Sequence, residues 1–396
     1  MTMRMTRTLG AMSMVWLVAT TANAQDPDRD TLREAVTFLM TNQAVQTGDF
    51  QRDRAAAEAA RDTIARSLLI NLTSAPIGTS SGGFLYRLNP ELGTVQRASE
   101  NFGTFFVERA LMGGEGTGSF GMTATRAAYT RLNGYDLEDG SFTTVANQFR
   151  DETTAFDTES LSMQLSASTL TFFGNYGVTD NFELGVVVPV VRINLEGERI
   201  NVYRGTAFVQ SAATGTASGL ADIAVRAKYG LYSNRTANIA AAGEVRLPTG
   251  DEENLLGAGS TSWRLLGVAS FESGPVGFHL NGGIVGGGVS DERILAGAFS
   301  VALHPRATLT GELLHRHVSE LRPFELTAAP HPTVSGVDTF RLTPGTGSTT
   351  LVTAITGFKW NVSDTLVLGG HLLWSLTDRG LNAPVTPTVA FEYSVR

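Results

Sequence analysis

The stretch DIAVRAKYGLYSNRTANIAAAGEVRLP, residues 222–248, decides how the rest of the chain is read. Ile223, Val225, Ala227, Tyr229 and Leu231 fall on one parity, and Asp222, Ala224, Arg226 and Lys228 on the other. Successive side chains of a strand point to opposite faces, so this is a strand with one apolar and one charged face. A tight joint, Ser233 to Arg235, follows. Beyond it Ile239, Ala241, Val245 and Leu247 oppose Asn238, Glu244 and Arg246. The last strand repeats the pattern, with Val389, Phe391, Tyr393 and Val395 opposite Thr388, Glu392 and Ser394. A charge at the lipid midplane costs about 2–4 kcal/mol, so in a membrane barrel the charged parity must face the lumen. Asp222, Arg226, Lys228, Glu244, Arg246, Glu312 and Glu392 are the lumen-lining candidates.

Working outward, the same alternation marks strands near 82–88, 100–112, 118–131, 160–177, 181–194, 218–232, 236–248, 260–272, 275–286, 292–304, 307–319, 349–362, 365–378 and 386–396. Tight joints alternate with long polar ones at 132–159, 195–217, 249–259, 287–291, 320–348 and 379–385. Outer-membrane barrels have short periplasmic turns and long extracellular loops. The expectation is an all-β, transmembrane antiparallel barrel of about 14 strands. Twelve is the alternative, if residues 82–98 form a hairpin outside the wall. The parity puts Arg226, Lys228, Glu244 and Arg246 on neighbouring strands, as mutually neutralising ion pairs or, less simply, as a selectivity element. Trp263, Trp360, Trp374, Tyr229 and Tyr393 suit the aromatic girdles of such a barrel.

The chain starts with the marks of a secretory signal over 1–24. Arg4 and Arg7 precede a short apolar run, Leu9 to Ala19, and Ala22-Asn23-Ala24 forms a small-x-small site before Gln25. Residues 25–78 form a helical segment. Thr31 and Glu34 fit a capping box, with Leu32, Val36, Leu39 and Met40 on one face; Ala57, Ala60, Ile64 and Leu68 mark a second helix. Two short helices need a surface to pack on. Counting strands back from the C-terminus puts this segment at the periplasmic mouth, with a lumenal plug as the other possibility. The barrel itself then spans 79–396.

Composition narrows the function classes. The net charge of −8, more negative once 1–24 is removed, argues against nucleic acid as a partner. There is no cysteine, hence no disulfide. Mean hydropathy of +0.01 and the lack of a long apolar run after the signal exclude helical membrane spans but suit a barrel. Lys228 and Lys359 are the only lysines.

Motif matches weaken in context. Gly78-Thr79-Ser80-Ser81-Gly82 fits the hydrolase nucleophile pattern but has a helix before it and a strand after it, the reverse of what an elbow needs. Gly116-Thr117-Gly118-Ser119-Phe120-Gly121 fits a dinucleotide fingerprint but opens a strand, not a helix. His315 and His317 share a strand face but lack a third ligand and read as a rim position. Acidic runs at Asp136, Glu138 and Asp139, at Asp151 and Glu152, and at Asp251 to Glu253 read as solvated loops. A divalent cation bridging them to lipopolysaccharide is the sharper reading. No catalytic, cofactor or metal site is expected, and the chain is not read as an enzyme.

Three segments carry a family resemblance. They are Tyr176 to Pro189 (YGVTDNFELGVVVP), Gly219 to Tyr229 (GLADIAVRAKY) and Arg246 to Gly257 (RLPTGDEENLLG). Together they resemble the outer-membrane transporter barrels labelled for the meta-pathway of phenol degradation, over about residues 160–396. The resemblance implies a porin-like passive channel for small, hydrophobic or aromatic molecules in the outer membrane of a Gram-negative-type bacterium. Outer-membrane lipid, lipopolysaccharide and the barrel assembly machinery would be its partners. A non-conducting structural or surface barrel is the alternative, and a soluble secreted β protein a more distant one. Outer-membrane strands usually finish on an aromatic residue. This chain ends Phe391-Glu392-Tyr393-Ser394-Val395-Arg396, so either Tyr393 serves with a short overhang or assembly uses other features.

Overall fold

A computed structural model describes residues 31–41, 43–74, 78, 83, 86–89, 94–97, 99–363 and 365–395. The expected signal segment 1–24 and most of the Gly78 to Gly82 motif lie outside these residues. Two helices come first, α1 (Leu32–Thr41) and α2 (Phe50–Leu69), and α2 runs into a π-helical turn, Ile70–Ser74. Strands β1 (Tyr86–Asn89) and β2 (Thr94–Arg97) form a hairpin. Then come β3 (Gly118–Tyr129), the short β4 (Arg131–Leu132) and β5 (Tyr135–Asp136), β6 (Phe142–Phe149), β7 (Asp157–Thr179) and β8 (Phe182–Tyr203). β9 (Thr206–Leu220), β10 (Ala224–Ser233), β11 (Ala237–Arg246), β12 (Ser262–Ser273), β13 (Val276–Gly287) and β14 (Glu292–His304) follow. The chain finishes with β15 (Ala307–Val318), β16 (Phe324–Pro330), β17 (Val337–Pro344), β18 (Thr349–Ser363), β19 (Leu366–Ser375), β20 (Leu381–Asn382) and β21 (Val385–Val395).

Twelve of these strands close into an up-and-down antiparallel barrel in the order β3, β7, β8, β10, β11, β12, β13, β14, β15, β18, β19, β21. The first and last strands seal it, from Thr388 opposite Thr125 to Val395 opposite Gly118. All twelve sit where the alternation from residue 118 onward put them. The count is therefore twelve and not fourteen. Residues 86–97 pair only with themselves in their sheet, as the smaller count required. Residues 100–112 contain no strand, for a reason given below. Outward positions are apolar along the wall, among them Val225, Val245, Leu265, Leu280 and Leu368. Exposed Tyr176, Tyr229, Phe271, Phe278 and Trp360 ring the short-turn end, while Trp263 and Trp374 sit toward the long-loop end. This is the banding of a wall that spans lipid.

The long-loop end is more built than the polar joints suggested. β7 and β8 continue past the barrel as one long hairpin, paired from Thr179 opposite Phe182 up to Asp157 opposite Tyr203. β6, β17 and β16 add to the free edge of β7, and β9 adds to that of β8, giving a curtain in the order β16-β17-β6-β7-β8-β9. Residues 195–217, expected as a loop, are thus mostly strand. The β8–β9 turn has Arg204 and Gly205 both at positive φ (48° and 83°), the conformation of a two-residue hairpin that matches strand twist.

Both helices pack on the inner face of this curtain. This corrects the expected periplasmic position. Strand counting assumed that helices and first strand share a side, whereas α1 and α2 pack on β8, β9 and β17 beyond the long-loop end of the wall. The apolar faces foreseen for the helices are the buried ones: Leu32, Val36, Leu39 and Met40 on α1, and Ala57, Ala60, Ile64 and Leu68 on α2. They join Met163, Leu165, Ile193, Leu195 and Leu256 in one core. Burying each large side chain contributes about 1.5–3 kcal/mol. The Thr31 hydroxyl accepts from Glu34 N at 3.2 Å, and Asp49 caps α2 by accepting from Arg52 N at 3.2 Å. At the other end of α1, the buried Arg199 guanidinium pairs with Glu159 and donates to the Met40 carbonyl at 2.7 Å, where a cation suits the helix dipole. Asp53 of α2 accepts from Arg341 of β17 at 2.8 Å.

Two glycines let α1 approach. A Cβ on Gly197 would lie 2.6 Å from Leu39 Cδ1, and one on Gly215 would lie 2.7 Å from Leu32 Cδ2. Replacing both with valine overpacks the contact at about 1–3 kcal/mol each. The expected result is rapid proteolysis within residues 31–74, while the barrel keeps its heat-modifiable migration on gels. Unchanged protection of that segment would show that α1 is not held on the curtain.

Candidate functional site

The inward parity carries the charge. All seven lumen candidates are buried: Asp222, Arg226, Lys228, Glu244, Arg246, Glu312 and Glu392. Glu244 lies between Arg226 and Arg246, at 2.7 Å from each, with Arg264 at 3.5 Å as a third cation. So the four charges read as a patch divide. Arg226, Glu244 and Arg246 do form an ion-pair cluster, whereas Lys228 turns away to Glu183 at 2.9 Å. Arg109 pairs with Glu272 at 2.7 Å and Arg316 with Glu292 at 2.8 Å. Glu183, Arg264, Glu272, Glu292, Arg316 and Lys359 were not among the lumen candidates read from the sequence. Parity would have found the wall members, since each sits on the charge-bearing face of its strand.

Residues 99–113 explain what these charges hold. This segment alternates like a strand but runs through the lumen without joining the sheet, from Val367 on β19, packed on Phe102, to Glu183 on β8. Its backbone groups still need partners, and wall side chains supply them. Glu312 accepts from the N–H groups of Phe105, Phe106 and Val107 at 2.6, 2.9 and 2.8 Å. Asn281 accepts from Glu108 N at 2.6 Å and donates to its carbonyl at 3.0 Å, as a neighbouring strand would. Thr308 accepts from Phe102 N and Ser270 from Ala110 N. The only two lysines of the chain complete the set. Lys359 donates to the carbonyls of Phe102 and Thr104, and Lys228 to those of Arg109 and Leu111. Further along, Glu392 accepts from Gly83 N and Arg226 donates to Gly78 O. The segment is a plug, fastened at the short-turn half of the barrel.

Between this plug and the helical cap lies a chamber of about 240 Å³. Asn71 and Leu72 close it above, Phe105 and Phe106 below, and Arg246 and Arg316 reach its wall. His371 also lines it and is 5 % exposed, yet among the described residues neither ring nitrogen has a hydrogen-bond partner. Its imidazole lies 4.2 Å from the Phe105 ring and 5.1 Å from the Phe106 ring, centroid to centroid. The site is therefore a pocket with two phenylalanine rings and an imidazole on one side, threonine hydroxyls such as those of Thr123, Thr169 and Thr171 on another, and two guanidiniums already paired.

Two of the family-like segments meet at the long-loop mouth. Asp222 accepts from Gly250 N at 3.0 Å and Ala258 N at 2.8 Å, while the Thr249 hydroxyl donates to Ala221 O at 2.9 Å. The clamped loop holds α1: Asn254 accepts from Leu32 N, and Glu252 and Glu253 pair with Arg33. These acids thus position the cap. Asp136 likewise shapes its own loop by accepting from Glu138 N and Asp139 N. Gly116 adopts a positive φ (75°) in the turn before β3, as the strand-entry reading required. His315 and His317 face outward at the rim, with Thr350 3.3 Å from His317 Nδ1. Among the described residues no group of three or more His, Asp and Glu side chains could hold a metal.

Residues 102–284, somewhat less than half of the chain, match the family model described as "Putative MetA-pathway of phenol degradation". All three family-like segments lie inside that match, which begins earlier and stops sooner than the resemblance read from them. No curated protein matches. Among solved structures, the chain is similar to an outer membrane channel from Pseudomonas putida F1, at 11% identity over 71% of this chain and 96% of that one, with a TM-score of 0.43. It is also similar to the KdgM porin (10% identity, 61% and 98% covered, TM-score 0.35) and to the transport unit of the autotransporter AIDA-I from Escherichia coli (12%, 71% and 90%, 0.36).

The plug's fastening is testable at Glu312. An amide has one acceptor oxygen where the carboxylate has two, so Glu312→Gln strands buried N–H groups at a cost of about 1–3 kcal/mol. Hydrogen exchange at Phe105, Phe106 and Val107 should accelerate while exchange in the wall strands stays slow. If those three amides remain as protected as in the parent protein, the carboxylate is not what holds the plug.

Proposed function

We propose that this protein is an outer-membrane conduit of a Gram-negative-type bacterium that admits small one-ring aromatic or similarly amphipathic molecules. The observation that carries this reading is the lumenal chamber, with the unpaired His371 imidazole set against Phe105 and Phe106. An apolar cavity of about 150 Å³ already takes benzene, so 240 Å³ is enough for a substituted ring. The phenylalanines offer ring faces and edges. A hydroxyl on the guest would give His371 the hydrogen bond it lacks. The family match, whose description concerns phenol degradation, points the same way. Passage to the short-turn side needs a shift of residues 99–113, because the plug crosses the lumen there. Its many side-chain anchors give that shift discrete contacts to break.

The same anchors favour a second reading, a barrel that binds but does not conduct. Flux through liposomes separates the two. Phenol should bind the purified protein, and His371→Phe should weaken binding about tenfold, the loss of one buried hydrogen bond. Glu312→Gln with Lys359→Met should raise phenol flux above that of the parent protein. Binding without flux in either form would favour the non-conducting barrel. Absence of both would remove the conduit reading altogether.

A further inference from the structure

The outer wall carries a second site, unrelated to the lumen. Along β21, β3, β7, β8 and β9 one outward row is apolar: Val389, Ala124, Leu170, Val190 and Leu220 lie side by side in register. The next outward row toward the long-loop end reads Arg126, Ser168, Arg192 and Ser218, again in register. The row beyond it is Ala128, Ser166, Asn194 and Thr216. The outward surface thus changes from apolar to polar at the two arginines, which places them where hydrocarbon ends and headgroups begin.

Here the wall is also concave. A groove of about 460 Å³ has Ala124, Leu170, Val190 and Val389 on its floor and both arginines at its edge. Both guanidiniums are exposed, and among the described residues neither forms an ion pair. Arg192 has one long hydrogen bond, 3.4 Å to Asn194. No carboxylate stands in the rows on either side; Glu196 is the first acid met on the outward face above Arg192. Strands lie about 4.8 Å apart, so the two positions are roughly 10 Å apart across β7, within reach of one shared anion. Arginine's planar fork suits phosphate oxygens. Arg293 and His317 also pair across the outer rim, but this groove does not reach them.

We propose that this groove binds an acylated, phosphate-bearing lipid of the outer leaflet, of the lipid A type. Its phosphate rests on Arg126 and Arg192, and an acyl chain lies along the Leu170–Val190 floor. Charge complementarity and the apolar-to-polar step assign both ends of the ligand. The site is independent of the conduit reading, and its failure would leave that reading untouched.

Native mass spectrometry of the intact protein in nanodiscs tests it, with phosphorylated lipid A, phosphate-free lipid A and inorganic phosphate as probes. The parent protein should retain phosphorylated lipid A, and Arg126→Gln with Arg192→Gln should reduce retention at least about tenfold. Leu170→Trp, which fills the groove but leaves both arginines, should reduce it as well. Heat-modifiable migration confirms that each variant is folded. Equal retention by the double variant, or of phosphate-free lipid A, would overturn the proposal. So would displacement of the lipid by millimolar inorganic phosphate, which would mark a free-anion site.

Discussion

A chain that crosses a barrel lumen without joining the sheet must find other partners for its backbone N–H and C=O groups. Most of this molecule follows from how that demand is met. Glu312, Asn281, Ser270 and Thr308 take the N–H groups of residues 99–113, and Lys228 and Lys359 take the carbonyls. Burying charge is costly unless it is paired and hydrogen-bonded, and here the plug itself completes the pairing. The plug occupies the short-turn half, and the helices pack at the opposite mouth. The chamber is the space left between the two.

The core of the protein consequently lies outside the lipid band. A membrane barrel gains little from side chains that meet lipid on one side and a polar lumen on the other. Here the curtain of β6, β7, β8, β9 and β17 curves over two helices and buries them as a water-soluble domain would. The loop 249–259, which carries the most recognisable motif, is the strap between that domain and the wall. Asp222 fastens it below and Arg33 meets it from above. This accounts for glycines at 250 and 257, whose backbones pass so closely that a Cβ on either would lie 2.7 Å from the other's Cα.

Much of the fold was legible because a wall strand obeys a simple rule, one parity for lipid and one for the lumen. That rule located all twelve wall strands and the burial of Arg226, Glu244 and Glu392. It failed where alternation has another cause. Residues 100–112 mix apolar and polar side chains as a strand would, yet no local signal distinguishes a neighbouring strand from a row of wall side chains. The curtain was hidden for the opposite reason: its residues, such as those of β9, are small and polar and read as loop. The helices were found by their apolar faces, but their position depends on long-range packing against β8, β9 and β17 that periodicity does not encode. Of the chamber, neither His371 nor Phe105 stood out, since a pocket assembled from many separate parts of the chain leaves no spacing to notice.

The seam between β3 and β21 also sets an order of events. The wall strands that hold the plug, from β8 to β21, are synthesised after it, and the last of them closes the cylinder against the first. Drawing a segment through a finished ring is a threading step that folded chains avoid. The plug must therefore dock while the sheet is still an open, curved ribbon, with its side-chain anchors acting as a template on which successive hairpins register. On this view residues 99–113 are a mandrel around which the barrel is rolled, and sealing is the final act of assembly.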